Sequence, residues 1–350
     1  MAPPVKLPTR KLGKNGPEIT AIGFGLMGLS TAYGSVGSDE DRLKVLDRAW
    51  ELGCTNWDSA DMYGDSEDLL GKWFARHPER RADIFLATKF GLRPGVRDDG
   101  TPGLLVDSSP AYCRQQCETS LKRLGVDCID LYYIHRVDGK TPIEKTMQEL
   151  VKLKQEGKIK HIGISASSAT TLRRACAVAP IDAYQVEYSP WALDIEGPES
   201  DHLLQTCREL HISVFAYAPL GRGILTGQIR SPDDFEPGDL RRLYPRFSRE
   251  NFPKNLVLVD KFRAMAARKK GGCTPGQLAI AWLMAQGGDV IPIPGTKNVK
   301  YLEENVGAVH VDMSKEEEQE IRGWIEEVGI AGIRVPPGLL DEFNDTPPLE

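Results

Sequence analysis

The sequence predicts an α/β protein: a closed (β/α)8 barrel over residues 18–310, with an N-terminal hairpin cap and a C-terminal extension over 311–350. Three observations carry that prediction. Strand-like and helix-like segments alternate along nearly the whole chain, the pattern of parallel βα units. Eight strand-like segments occur, and their cores are almost unbroken β-branched and aliphatic runs, as expected of strands covered on both faces. No linker divides the 350 residues into parts, and barrels of this type take roughly 250 residues before insertions. The chain therefore reads as one domain over 1–350.

The elements follow in order. Segment 9–19 carries turn chemistry in Lys14-Asn-Gly-Pro17, which predicts a hairpin over the barrel floor. Strands are expected at 20–25, 55–58, 84–89, 129–135, 159–165, 183–187, 213–217 and 289–293. A helix over 39–52 opens on Ser38 as N-cap and stops at Gly53. Another, 143–155, ends before Gly157, with Lys152 and Lys154 suited to a helix C-terminus. The connection 219–255 far exceeds the usual four to six or so residues, which marks it as a binding loop or lid. A Glu-rich helix follows the barrel at 314–328 with Ser314 as N-cap, then a tail rich in Pro and Gly.

Bulk properties exclude several classes. A net charge of -6 gives no long-range pull toward nucleic acid or an anionic membrane. Seven cysteines without framework spacing fit a reducing compartment, and Cys113 with Cys117 lacks the further ligands a structural zinc needs, so no metal is expected. The N-terminus lacks the apolar core of a signal peptide, and no run approaches the ~18–20 apolar residues of a membrane span. A cytoplasmic protein is the expectation. Asn344-Asp-Thr346 matches a glycosylation sequon, which without a secretory signal reads as chance.

Gly23-Phe-Gly25-Leu-Met-Gly28 matches the dinucleotide fingerprint G-x-G-x-x-G, but its context differs. The helix does not start within the motif, and Asp58 lies 30 residues past Gly28 instead of about 20. These glycines read instead as letting the end of the first strand approach a ligand closely.

Four polar residues stand just past apolar runs: Asp58, Tyr63, Lys89 and His135. An acid, a phenol, an amine and an imidazole at successive strand ends suit proton transfer to a carbonyl oxygen. An alkoxide formed by hydride addition needs an acid nearby. Tyr has a reference pKa near 10, and bringing it to about 7 takes roughly 4 kcal/mol, which a neighbouring ammonium can supply. Lys89 would do so, with Asp58 keeping it charged, while His135 orients the carbonyl. Taken singly, each is an ordinary strand-end polar residue; the set of four is what carries the reading.

The same text, Asn56-Trp-Asp-Ser-Ala-Asp-Met-Tyr-Gly64, Ala87-Thr-Lys89 and Ile134-His135, resembles the catalytic tetrad of the aldo-keto reductases. Later strand ends resemble that family's cofactor segments in the same order, and the resemblance implies NADPH/NADP+ as cofactor. Ser165 and Gln185 would bond the carboxamide, and Tyr217 would face the nicotinamide. Pro219, Leu220, Gly221, Arg222 and Gly223 would line the pyrophosphate, with Gly221 and Gly223 turning N–H groups toward it and Arg222 as a clamp. Ile293, Gly295, Thr296, Lys297 and Lys300 would hold the 2′-phosphate end, and Glu304 with Asn305 the adenine. Two departures stand out: Ala166 replaces an Asn common after the serine, and Tyr301 occupies the place of an arginine that grips the 2′-phosphate.

Met27, Tyr33, Phe90 and Trp191 are the candidates for the substrate pocket, while Trp57, Trp73 and Trp282 read as core. Gly-Arg-Gly-x-Leu-Thr-Gly from Gly221, Ser231-Pro-Asp-Asp and Asn298-Val-Lys-Tyr-Leu-Glu-Glu-Asn305 resemble the fungal and plant branch that includes pyridoxal, perakine and aryl-alcohol type reductases. The implied activity is NADPH-dependent reduction of an aldehyde or ketone, with a small carbonyl compound as partner. A nucleotide-binding regulatory subunit resembling potassium-channel β subunits is the second reading, separated from the first by turnover. A barrel glycosidase using Asp58 and Glu187 leaves Tyr63 and Lys89 unexplained.

Overall fold

The computed structural model describes residues 5–96, 100–336 and 343–349, so residues 337–342 and 350 of the expected extension lie outside the described residues. All eight expected barrel strands are present: β1 Phe24–Gly25, β2 Asn56–Asp58, β3 Phe85–Phe90, β4 Ile129–Ile134, β5 Ile159–Ser165, β6 Ala183–Glu187, β7 Ser213–Tyr217 and β8 Val290–Pro292. They pair in parallel in sequence order. Closure between the first and last is made by Gly23 N–H to Pro292 O (2.8 Å), Gly25 N–H to Pro294 O (3.1 Å) and a parallel bridge from Gly25 to Gly295.

That closure adds a second role for the glycines. A Cβ on Gly23 would lie 2.8 Å from Ile293 Cγ2 and one on Gly25 2.8 Å from Ile293 O, while one on Gly295 would lie 2.7 Å from Gly25 O. Missing side chains here let the two strands meet, while Gly25 and Gly28 also line the cavity at the strand end.

Strand residues alternate between two cores. Ala87, Leu131, Tyr133, Ala183, Phe215, Ile291 and Ile293 fill the barrel interior with Leu12 and Ile19. Tyr132, Ile134, Ile162, Ile164, Tyr184 and Val214 face outward into the layer beneath the helices. Gly163 makes room inside, since a Cβ there would sit 2.3 Å from the Tyr133 ring. Trp57, Trp73 and Trp282 are fully buried in the outer layer, as expected.

The floor hairpin forms from Thr9–Lys11 and Glu18–Thr20 in antiparallel register. Thr20 thus belongs to the hairpin and not to the first barrel strand, which is shorter than the pattern 20–25 suggested. Leu12 is fully buried in the interior, and Gly13 N–H donates to Ser213 Oγ at the start of β7 (2.8 Å), which places the hairpin at the strands' N-terminal end.

Helices α1 Asp39–Glu51, α2 Ser66–Arg76, α3 Pro110–Leu124, α4 Ile143–Gln155 and α5 Ala169–Val178 cover the first strands. Ser38 caps α1 by accepting from Asp41 N–H, and Gly53 and Gly157 follow α1 and α4 in the left-handed region (φ 74° and 76°). After α6 Leu203–Glu209 and β7, the long connection is a chain of 3-10 turns ending in α7 Phe252–Arg268, which begins inside the expected loop 219–255. Then come α8 Pro275–Ala285, α9 Val299–Gly307 and α10 Lys315–Val328, the last opened by a Ser314–Glu317 capping box.

Two features have no counterpart in the sequence reading. A hairpin, Leu92–Val96 with Pro102–Val106, rises after β3. The described parts of the tail after α10 are bonded to the barrel: Ala331 N–H donates to Asn255 Oδ1 (2.8 Å), and Ser168 N–H donates to Asn344 O (2.9 Å). No helix among the described residues is long and apolar enough to cross a membrane.

Candidate active site

The strands' C-terminal ends open into a cavity of about 1010 Å³. Asp58 ends β2, Lys89 lies in β3 and His135 directly follows β4, so strand register alone brings three of the four candidates together. Tyr63 comes from the loop between β2 and α2. Its backbone N–H donates to Ala60 O (3.1 Å), a turn that folds the phenol back over the β2 end.

Lys89 is fully buried beneath the cavity. Its Nζ donates to Asp58 Oδ1 (2.5 Å) and Ser59 O (2.6 Å) and lies 3.5 Å from the Tyr63 hydroxyl. Gln185 Nε2 donates to the other oxygen of Asp58 (2.7 Å). Burial acts against the charge on Lys89, but Asp58 and Tyr63 outweigh it and hold the amine above its usual range. Burial pushes the Asp58 carboxyl up, and Lys89 with Gln185 pulls it back.

The Tyr63 and His135 rings meet edge to face with centroids 5.8 Å apart. Burial, Lys89 and Arg136 hold His135 well below the usual imidazole range, so the ring is neutral near pH 7. Its Nδ1 is buried without a hydrogen-bond partner. The Tyr63 phenol differs from the expectation. Burial raises its pKa above the usual value, Lys89 opposes this and Asp58 reinforces it. The 3.5 Å separation, and the two shorter bonds Lys89 makes elsewhere, explain why the ammonium does not win.

Asp58, Tyr63 and His135 line the cavity, as do Ser165, Gln185, Tyr217, Pro219, Leu220, Arg222, Gly223, Ile293, Gly295, Thr296, Lys297, Glu304 and Asn305. Gly221 and Lys300 are not among the lining residues: Gly221 is buried with Trp191 against the position of its missing Cβ (2.9 Å), and Lys300 is exposed on α9. Met27 and Tyr33 line the cavity, whereas Phe90 and Trp191 do not. Phe90 points outward and stacks on Tyr132 (5.2 Å), because its neighbour Lys89 takes the inner side. Trp191 is buried and stacks on Phe247 (6.3 Å).

Several polar groups make other bonds than the sequence suggested. Gly221 N–H donates to Ala218 O (2.9 Å) and Gly223 N–H to Leu220 O (3.0 Å), so these groups serve their own turn, with φ of 55°, 57° and 98° at Gly221, Arg222 and Gly223. Arg222 Nη2 donates to Glu187 Oε2 (2.9 Å), and its guanidinium lies 4.3 Å over the Tyr244 ring. Lys297 Nζ donates to Tyr33 O and Ser35 O, both at 2.8 Å, and Tyr301 OH to Gln228 Oε1 (2.8 Å). Leu240 N–H donates to Ala32 O (3.2 Å), so the segments after β1, β7 and β8 meet across the groove.

Met62, Leu92, Leu104, Arg136 and Val335 also line the cavity and were not anticipated. Met62 and Arg136 adjoin Tyr63 and His135 in sequence, which was the available signal. Leu92 and Leu104 sit on the unexpected hairpin, where Pro94-Gly95 and Pro102-Gly103 interrupt any strand pattern. Val335 belongs to the tail.

A profile of the aldo/keto reductase family matches residues 21–326. The chain is 54% identical over 334 residues to aldo-keto reductase str7 of Strobilurus tenacellus, covering 94% of this chain and 95% of that one. It is 51% identical over 348 residues to aldo-keto reductase yakc [NADP(+)] of Schizosaccharomyces pombe, covering 99% of each. Among solved structures, the glycerol dehydrogenase AKR11B4 from Gluconobacter oxydans superposes with a TM-score of 0.79 at 28% identity, over 95% of this chain and 98% of that one. The aldo-keto reductase AKR11C1 from Bacillus halodurans gives 0.71 at 25%, over 95% and 99%. The chain belongs to the aldo/keto reductase family.

Proposed function

We propose that the chain reduces aldehydes or ketones with NADPH, using Tyr63 as the proton donor. The observation that carries this is the arrangement of Tyr63 and His135 on the cavity wall above the buried Lys89–Asp58 pair. The residues present fit the cofactor. One cavity is lined both by Ser165, Gln185 and Tyr217 and by Lys297, Glu304 and Asn305, and the Lys297 cation stands beside the N-terminus of α9. Bound NADPH would supply the hydride.

The chain's own residues do the rest. Tyr63 holds a proton at its hydroxyl at neutral pH and gives it to the oxygen that becomes an alkoxide. Lys89, 3.5 Å away, stabilises the phenolate left behind, and Asp58 fixes Lys89 in place. Neutral His135 orients the carbonyl oxygen. Met27, Met62, Leu92, Leu104 and Val335 make an apolar mouth around these groups, which favours apolar or aromatic carbonyl compounds and excludes water.

Tyr63→Phe tests the assignment. NADPH oxidation followed at 340 nm with a panel of aromatic and aliphatic aldehydes should show kcat reduced at least about 100-fold, with NADPH affinity nearly unchanged. Unchanged turnover would falsify the role given to Tyr63.

A further inference from the structure

Tyr63 is carried by a short loop, and one side chain outside the cavity grips both ends of it. Arg123, in the last turn of α3, donates from Nη1 to Asp61 O (3.1 Å) and from Nη2 to Gly64 O (2.7 Å). These carbonyls bracket Met62 and Tyr63. The same guanidinium pairs with Asp68 Oδ2 on α2 (2.8 Å) and with Glu67 Oε2 (3.3 Å).

Glu67 is fully buried, and its other oxygen accepts from Thr88 Oγ1 (2.7 Å), the residue before Lys89. Asp61 N–H donates to Lys89 O (3.0 Å). Arg123 therefore closes a circuit: through Asp61 and through Glu67 it ties the Tyr63 loop to the strand that carries Lys89. A helix-to-helix ion pair would need only Asp68. The two carbonyl bonds, one on each side of Tyr63, go beyond that.

The packing of α2 against α3 is shaped to allow this reach. A Cβ on Gly71 of α2 would lie 2.2 Å from Arg123 O, so only glycine lets the end of α3 come this close. Gly64 adds a second constraint, with φ of 57° and a position whose Cβ would lie 3.0 Å from Ser30 O.

We propose that Arg123 is a positioning residue for Tyr63: its planar fork sets the distance of the phenol from Lys89 and from the carbonyl to be reduced. Lysine is not equivalent, because Nη1 holds Asp61 O and Nη2 holds Gly64 O, and a single ammonium lacks that planar pair of separated donors. The proposal rests on the reading of Tyr63 as proton donor, but one arm of its test does not.

Arg123→Lys keeps a cation beside Glu67 and Asp68 and removes the fork; Arg123→Ala removes both. With NADPH and 4-nitrobenzaldehyde, both variants should lose about tenfold or more in kcat, as small misplacements of a reacting group do, while the NADPH Kd changes less than about threefold. Guanidinium ion, well below denaturing concentration, should restore part of the Arg123→Ala activity. In protein labelled with 3-fluorotyrosine, the Tyr63 19F resonance, assigned by its loss in Tyr63→Phe, should shift in both variants and return with guanidinium. An Arg123→Lys protein with unaltered kcat and unaltered resonance overturns the proposal. If the wild-type enzyme turns over no aldehyde, the reductase reading fails, and the resonance alone then decides whether Arg123 sets the position of Tyr63.

Discussion

Lys89→Met removes one partner of a fully buried ion pair and leaves the other behind. Lys89 is 0% exposed and Asp58 is 2% exposed, with 2.5 Å between Nζ and Oδ1. Without the amine, the Asp58 carboxylate keeps one side-chain donor, Gln185 Nε2 at 2.7 Å. Breaking a buried pair in this way costs about 3–5 kcal/mol. Unfolding entropy scales as roughly 2 cal/mol/K per residue, about 0.7 kcal/mol/K here, so Tm should fall by about 4–7 K. The sign of the pH dependence follows from burial, which already pushes Asp58 up. Loss of Lys89 pushes it further above its unfolded value of about 3.9. Such a carboxyl contributes stability that is complete below the unfolded pKa and lost as pH rises through the folded one. The deficit of Lys89→Met should therefore be small near pH 5 and full near pH 8. Adding Asp58→Asn should recover most of it and flatten the pH dependence. Calorimetry of wild type, both single variants and the double variant across that range is the assay. A deficit that is constant with pH and unrelieved in the double variant would mean that Lys89 contributes packing alone.

Two further outcomes are expected. Lys297→Ala removes a cation that faces the cavity and holds the Tyr33 and Ser35 carbonyls; a charge-assisted contact of about 1.5–3 kcal/mol predicts a loss of roughly ten- to 100-fold in NADPH affinity, with NADH much less affected. Equal losses for the two cofactors, measured by fluorescence titration, would mean that Lys297 only fastens the strap at Tyr33–Ser35. Asp61 has its carboxyl pushed up to about 8, first by burial and then by Glu67. Its stabilising share is complete below about pH 4 and lost as pH rises toward 8, so the advantage of Asp61→Asn over wild type should grow by up to about 1.4 kcal/mol per pH unit in that window. Urea denaturation that shows a constant difference from pH 5 to pH 8 would refute this.

The barrel was readable because its physics is local. Strands such as β4 and β8 are largely apolar and buried along their whole length, and capping residues such as Ser38 and Ser314 mark helix starts wherever they fall. Asp58, Lys89 and His135 were readable for the same reason, since a strand end in this fold is also the cavity rim. What escaped was non-local. Phe90 follows Lys89, so the alternation that sends the amine inward sends the ring outward onto Tyr132. Trp191 and Arg222 are engaged by Phe247, Glu187 and Tyr244, partners up to 56 residues away that no local pattern identifies. Gly25 and Gly295 are 270 residues apart and act on each other. The hairpin bearing Leu92 and Leu104 is punctuated by prolines that ordinarily argue against strands, and they are tolerated because this two-stranded ribbon has only edges.

The three candidate acids differ in charge state and in access. Lys89 is protonated, but it is buried under the cavity and already bonded to Asp58 and Ser59 O, so giving up its proton would leave Asp58 an uncompensated buried charge. His135 reaches the cavity but is neutral, with Lys89 and Arg136 both acting against an imidazolium. Tyr63 alone is protonated and also faces the cavity. Its raised pKa keeps the phenol loaded throughout the neutral range. That same shift penalises the phenolate needed to take a proton from an alcohol, and below the pKa the phenolate fraction falls tenfold per pH unit. On this reading, burial of Tyr63 biases the site toward reduction at neutral pH, and Lys89, held 3.5 Å from the hydroxyl by Asp58, sets how large the bias is.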